Sequence, residues 1–356
     1  MAISTIGTNS LSDPIAVNGY TPTASNMQPF NRIINGAMTI DQRNAGSAVT
    51  PANGTSIYTL DRWSFYLSQA SKLTTQQSST APTGFVNSLL VTSSSAYSVG
   101  SGDIFEVRQF VEGYNTADLM WGTANAQTVT LSFWVRSSLT GTFGGVIRNS
   151  ASDRSYVFSY SISSANTYEY KTITIAGDTS ATWLTTNGRG IGVFFSLGAG
   201  STVIKAAGSW GAGQYVGVTG QTNLVGTNGA TFYITGVQLE AGSTASPFAH
   251  ENYSDTLQKC QRYYEIIGRD SGSNGYANIF STPLDTFSNF WTRVSYLVEK
   301  RSSPALGFYS GVSWNSTVPT ANLAGVNAVL FNATSWFFLE GGSGGNAPMA
   351  YVDAEL

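Results

Sequence analysis

Short runs of alternating apolar and polar residues recur through the first 240 or so positions, separated by Gly, Ser, Asn and Thr. The clearest is TVTLSFWVR at 128–136. Val129, Leu131, Phe133 and Val135 fall on one phase, and Thr130, Ser132, Trp134 and Arg136 on the other, which is the period of a half-buried strand. DRWSFYL at 61–67 sets Trp63, Phe65 and Leu67 on one face. IFEVRQFV at 104–111 alternates less strictly, with Phe105, Val107 and Val111 opposing Glu106 and Arg108. Further strands are expected at 156–162, 169–176 and 190–197, and Asn35-Gly36 reads as a turn after Ile33-Ile34. Residues 198–229 read as a long loop or two weak strands. Eight or so strands with little helix between them predict an antiparallel sandwich.

The stretch 229–267 organises the rest. In TFYITGVQLE, at 231–240, Phe232 and Ile234 lie on one phase and Val237 and Leu239 on the other, which predicts a strand with a bulge at Gly236. A turn follows at 241–247, then a short helix over 254–262 with Ser254 as N-cap and Asp255 in the first turn. Tyr253, Leu257, Cys260 and Tyr264 are spaced as the a and d positions of a coiled-coil seam. The same stripe also suits a helix packed on its own domain.

Beyond this stretch, FWTRVSYLV at 290–298, a polar turn at 299–304 and a return strand at 305–309 suggest a hairpin. Strands follow at 328–331, 335–339 and 350–356. The expected organisation is an arm at 1–29, a jelly-roll sandwich at 30–249, a linking helix within 250–267 and a small all-β tip domain at 268–356. The arm holds Pro14, Pro22 and Pro29 among polar residues, with no amphipathic period. It is either disordered or ordered only against a partner.

Composition sharpens the picture. Charged residues make up 10% of the 356, against ~25% in ordinary soluble domains. Ser, Thr, Asn, Gln and 38 Gly replace them, a mixture that favours strands and turns. The net charge of -3 gives no drive toward nucleic acid or an anionic membrane, and the densest basic spot is the pair Lys300-Arg301. Cys260 is the lone cysteine, which excludes an internal disulfide and a multi-cysteine zinc site. Residues 1–10 lack the basic start and apolar run of a secretory signal, and no stretch nears the ~20 apolar residues of a membrane span.

Candidate chemistry is sparse. His250 is the single histidine and no Gly-x-Ser-x-Gly elbow accompanies it. A glycosidase would need two of Asp41, Asp61, Glu106, Glu112, Asp118, Asp178 and Glu240 about 5 to 9 Å apart. The bland alternative sets Asp61 in a turn and faces Glu106, Glu112 and Glu240 to solvent. No enzyme activity is expected. Sugar binding would use exposed aromatic rings. Trp210 and Tyr215 lie near loops, Trp314 has polar neighbours and Trp336 lies in the tip region; these four are the candidate ligand-binding residues. Trp134 is out of phase with the core side of its strand, so it faces solvent or a neighbouring subunit.

The first domain resembles a family of phage tail-fibre and virion appendage proteins whose core is similar to the jelly-roll of carbohydrate-binding modules. The resemblance rests on Asn31-Arg32-Ile33-Ile34-Asn35-Gly36, Asp61-Arg62-Trp63, Gln109-Phe110-Val111-Glu112-Gly113, the 131–137 and 172–179 strands, residues 232–242, Pro247-Phe248, Cys260-Gln261-Arg262-Tyr263-Tyr264 and the terminal Asp353-Ala354-Glu355-Leu356. It implies a homotrimeric structural protein on the surface of a phage particle, seated against other virion proteins through residues 1–29 and touching host-surface carbohydrate. A tail fibre is the first reading; a head fibre or capsid decoration protein and a polysaccharide depolymerase are the alternatives. No cofactor is expected. The jelly-roll resemblance implies a candidate structural calcium, for which Asp41 and Glu240 are the available carboxylates.

Overall fold

The alternating runs become two antiparallel sheets that face each other. The computed structural model describes residues 31–54, 56–267, 290–308, 313–314, 320–323, 325–333, 339–340 and 350–356. The chain begins with β1 (Ile57–Leu60), β2 (Trp63–Leu67), β3 (Leu73–Ser78), β4 (Ser88–Ser93) and β5 (Ile104–Glu112). It continues with β6 (Val129–Ser137), β7 (Gly141–Arg148), β8 (Arg154–Ile162), β9 (Glu169–Ile175) and β10 (Arg189–Ala199). Three short strands follow, β11 (Ile204–Lys205), β12 (Trp210–Ala212) and β13 (Gly217–Val218), and then the long β14 (Thr231–Ala241). One sheet runs β1-β2-β5-β10-β7-β8-β12 and the other β3-β4-β14-β6-β9.

The core lies between these sheets. Trp63, Phe65, Leu67, Leu131, Phe133 and Val135 are fully buried there, and Phe133 packs edge-on to Phe195 and Tyr160 across the gap. In the five-stranded sheet β6 keeps its apolar alternation, with Val129, Leu131, Phe133 and Val135 in the core. In the seven-stranded sheet β5 does not, because that sheet's outer face carries a second apolar cluster of Phe110, Val146, Val157, Phe194, Val218, Tyr263 and Leu356. A strand buried on both faces loses its period, which is why 104–111 alternates poorly. The strands β1, β3, β4 and β7 escape the sequence reading. LTTQQS and SLLVTS are too polar or too uniform, and β7 carries Gly141, Gly144 and Gly145. The 198–229 region holds three very short strands.

The bulge in β14 is present. The pairing of β14 with β6 shifts register between Thr235 and Gln238, and Gly236 has φ 60°. The extra residue puts Phe232, Ile234, Val237 and Leu239 all into the core. Segment 31–36 docks on this bulge. Asn31 accepts from Leu239 N at 3.1 Å and donates to Val237 O at 3.0 Å. Val237 N donates to Gly36 O at 3.0 Å, and a Cβ at Gly36 would strike the Val237 carbonyl.

After the sandwich come α1 (Tyr253–Gln261), the one α-helix among the described residues, and β15 (Tyr264–Ile267). The N-cap is Asn252, not Ser254. The expected linking helix therefore breaks into a helix and a strand. The remaining strands are β16 (Phe290–Ser295), β17 (Ala305–Phe308), β18 (Ser313–Trp314), β19 (Thr320–Leu323), β20 (Ala328–Ala333), β21 (Leu339–Glu340) and β22 (Ala350–Asp353). β16 pairs with β20, whereas β17 pairs with β22, which also pairs with β15. The expected 290–309 hairpin is not made, because β17 takes its partner from the chain's end. The last residues return to the sandwich: Tyr58 donates to Leu356 O at 2.8 Å, and Arg43 bonds Asp353 and Glu355 at 3.1 Å each. A boundary that assigns all of 268–356 to a separate tip thus cuts through this contact.

Candidate functional site

The outer face of the five-stranded sheet carries a row of partly exposed aromatic side chains. In β6 the core takes Leu131, Phe133 and Val135, so Trp134 and Arg136 must point outward. Register then sets their neighbours. Trp134 pairs with Tyr170 on β9 and with Thr235 on β14, and Arg136 pairs with Tyr233. The Trp134 and Tyr170 rings lie 5.3 Å apart at 47°, and Tyr170 is 42% exposed. The Arg136 guanidinium sits 4.9 Å from the Tyr233 ring and 5.9 Å from that of Tyr168. It is anchored by Nε donating to Asn166 O at 2.9 Å.

The row extends past the bulge. With no side chain at Gly236, Phe85 and Trp134 close over its backbone; a Cβ there would lie 2.6 Å from Phe85 Cζ and 3.1 Å from Trp134 Cδ1. Phe85 meets Phe248 at 5.1 Å and the exposed His250 at 5.2 Å. A path Tyr170–Trp134–Phe85–Phe248 therefore crosses the sheet, with Arg136, Tyr233 and Tyr168 beside it and the exposed Thr172 and Thr174 at its edge. Half-exposed rings bordered by hydroxyls and a guanidinium match a molecule with an apolar face and a polar rim. A pyranose ring is such a molecule.

The candidate residues from the sequence fare differently. Trp210 is half-buried in a triangle with Trp121 and Trp183, at centroid distances of 5.4 and 5.5 Å, and its Nε1 donates to Ala176 O at 2.7 Å. Its ring is used in packing, and it is not a free stacking face. Tyr215 is half-buried against the Phe110–Phe194 cluster. Trp314 lies on β18, paired with Leu339, and its side chain, like all of Trp336, lies outside the described residues. Trp134 lies on the outer face, as its phase in the strand implies, and Tyr170, Tyr233 and Phe85 become its neighbours only through register and a bulge.

The candidate metal carboxylates serve separate networks. Asp41 accepts from Asn44 N at 2.9 Å and Gly46 N at 2.7 Å, closing its own turn. Glu240 is 2% exposed and accepts from Ser246 N at 2.8 Å and Ser246 Oγ at 2.7 Å. Among the described residues no three His, Cys, Asp or Glu side chains cluster as metal ligands.

The seam residues do not share a stripe. Tyr253 is 64% exposed and Leu257 half-buried, while Cys260 is fully buried and Tyr264 sits on β15, stacked on Tyr351 at 5.4 Å. Cys260 and Tyr264 are consumed within the chain because the helix ends at Gln261 and the backbone turns to meet β22. The Lys300-Arg301 pair is no surface patch either: Lys300 is fully buried on Glu265, and Arg301 bonds Ala354 O at 2.8 Å and Glu355 O at 3.0 Å.

Most of the candidate acids hold structure. Glu106, Glu112 and Glu240 are buried rather than solvated. Glu106 pairs with Arg108, Glu112 with Arg262 and Tyr263, Asp118 with Arg32, and Asp178 with Arg154. Burial alone would raise Asp178, but Arg154, Trp183 and the Ala181 amide hold it below the usual range. Asp61 also holds structure but differs in its proton affinity. Burial pushes it up to about 7, against Arg43 and two hydrogen bonds from Gln42.

No protein-family model matches the sequence, and no curated protein matches it. Parts of the chain are similar to solved structures at low identity. A family 11 carbohydrate-binding module from Clostridium thermocellum, in complex with a mixed-linked β-1,3-1,4 tetrasaccharide, is 11% identical over 56% of this chain and 98% of its own, with a TM-score of 0.29. A CBM22 xylan-binding domain from Paenibacillus barcinonensis is 9% identical over 57% of this chain and 99% of its own, with a TM-score of 0.22. The enzymatically active domain of tailspike protein 4 from bacteriophage CBA120 is 12% identical over 60% of this chain, with a TM-score of 0.30, and the match spans 21% of the tailspike chain.

Proposed function

We propose that this protein is a non-enzymatic structural component of a phage particle, a homotrimeric tail fibre that binds host-surface glycan on the outer face of its five-stranded sheet. The observation that carries the glycan reading is the row of Trp134, Tyr170, Phe85 and Phe248 rings crossing that face. The non-enzymatic reading is supported by the acids: Glu106, Glu112, Asp118 and Asp178 are each neutralised by an arginine. The virion reading rests on the resemblance of residues 31–36, 61–63, 131–137 and 353–356 to phage appendage proteins, and residues 1–29 are its seat in the particle.

The decisive experiment is retention of the purified chain on host envelope polysaccharide. Trp134→Ala removes the central ring, and loss of such an anchor costs roughly 2 kcal/mol, about a 30-fold fall in affinity. Unchanged retention overturns the glycan reading. Particles made with a chain lacking residues 1–29 should contain none of it. The native mass should lie near three times 37.8 kDa. Release of reducing ends from the polysaccharide, abolished by replacing one Asp or Glu, would make the protein a depolymerase instead.

A further inference from the structure

A concave site lies on the opposite sheet. A cavity of about 180 Å3 opens on the outer face of the seven-stranded sheet, and Arg108, Arg148 and Arg189 line it. Three adjacent strands supply these residues: Arg108 comes from β5, Arg189 from β10 and Arg148 from β7. The floor is the edge-to-face pair Phe110 and Phe194, 5.7 Å apart. Each guanidinium lies over this pair, with Arg148 3.9 Å from Phe194 and Arg189 and Arg108 at 4.1 and 5.2 Å from Phe110. Gly192 makes room, since a Cβ there would collide with the Phe194 ring. The rings stabilise buried cations through their faces.

The charge at this site is not balanced. Among the described residues Glu106 is the one carboxylate paired there, bonding Arg108 at 2.9 Å and approaching Arg148 at 3.8 Å. Arg189 forms no ion pair among the described residues. Arg148 is 3% exposed and its Nε has no hydrogen-bond partner. Burial lowers the proton affinity of Arg148 and Arg189, and the positive charge of Arg108 adds to that in both cases. Crowding like charges in a part-dry cleft is unfavourable unless an anion enters. The rim also offers Ser150, Ser152 and Gln214, whose side chains carry no hydrogen bond among the described residues. Their O–H and N–H groups can donate to the oxygens of any anion, but a sugar ring also returns hydroxyl donors to the serine oxygens and the Gln214 carbonyl, which a bare inorganic anion does not. The cavity is smaller than the ~300–1,000 Å3 of ordinary ligand pockets, which suits one sugar unit rather than a chain.

We propose that this pocket binds the carboxylate of a single acidic sugar unit, a hexuronate, with Arg148 and Arg189 on the carboxylate and the rim hydroxyls and amide on the ring. It is a site distinct from the aromatic row and does not depend on it. The test is calorimetric titration of the full chain with glucuronate, glucose and inorganic sulfate. Glucuronate should bind at least tenfold more tightly than either of the others, and more weakly as salt rises. Arg189→Gln should weaken it at least tenfold with an unchanged melting temperature, since Arg189 is half-exposed and unpaired. Trp134→Ala should leave it unchanged, so failure of the row and failure of the pocket read separately. Sulfate binding as tightly as glucuronate would overturn the sugar assignment. Absence of glucuronate binding, or equal binding by Arg189→Gln, would overturn the site.

Discussion

Arg62 and Glu355, 293 positions apart in sequence, form an ion pair buried on both sides, with side-chain exposures of 1% and 4%. The Arg62 guanidinium also lies 3.5 Å over the Tyr263 ring and bonds Phe110 O at 2.5 Å. Glu355 receives Arg43 as well, at 3.1 Å. The chain's end is therefore a latch, closed on the first sheet by the buried Arg62 and the half-buried Arg43. Glu355→Ala leaves both without their shared carboxylate. Breaking a buried pair from one side costs about 3–5 kcal/mol, so the midpoint of urea unfolding should fall sharply. A shift under 1 kcal/mol would mean the latch is open in solution.

Asp61 gives a pH signature. Burial raises it from 3.8 to about 7 in the folded chain. Below pH about 4 it is protonated folded and unfolded, and its contribution is complete. Between about 4 and 7 the unfolded chain releases this proton and the folded chain keeps it, so stability falls as pH rises. Above about 7 the loss is complete. Asp61→Asn has no proton to exchange, so the stability difference between wild type and variant should shift against the wild type from pH 4 to 8. Parallel melting curves across that range would remove the effect.

Gly236 is held at φ 60°, where a side chain is strained. Gly236→Ala should destabilise by about 1–2 kcal/mol and push Phe85 off the Trp134 edge. Glycan retention should weaken along with the melting temperature. Tyr170→Ala, at an exposed position, should weaken retention while stability changes by less than about 0.5 kcal/mol.

Cys260 is fully buried, and burial pushes its thiol well above the ordinary range. Thiolate is the reactive form. A thiol reagent at neutral pH should label the native chain slowly and the urea-unfolded chain at once. Rapid labelling of the native protein would place the helix end in solvent.

The local pattern decided the strands that bury one face. TVTLSFWVR can hide Val129, Leu131, Phe133 and Val135 only as a strand, and TFYITGVQLE can bury Phe232, Ile234, Val237 and Leu239 only with a bulge at Gly236, so both could be read from spacing. The outward side of Trp134 followed from the same alternation. What surrounds it did not. Tyr170 reaches Trp134 through the register of β9, Phe85 through the missing side chain at Gly236, and the arginine pocket through three strands far apart in sequence. The helical stripe misled because Tyr253 to Tyr264 has seam spacing, yet the chain leaves the helix at Gln261, where β22 offers backbone partners. Periodicity records which face a residue occupies. Which residues share that face depends on pairings between distant segments, and those are set by the energy of the whole fold.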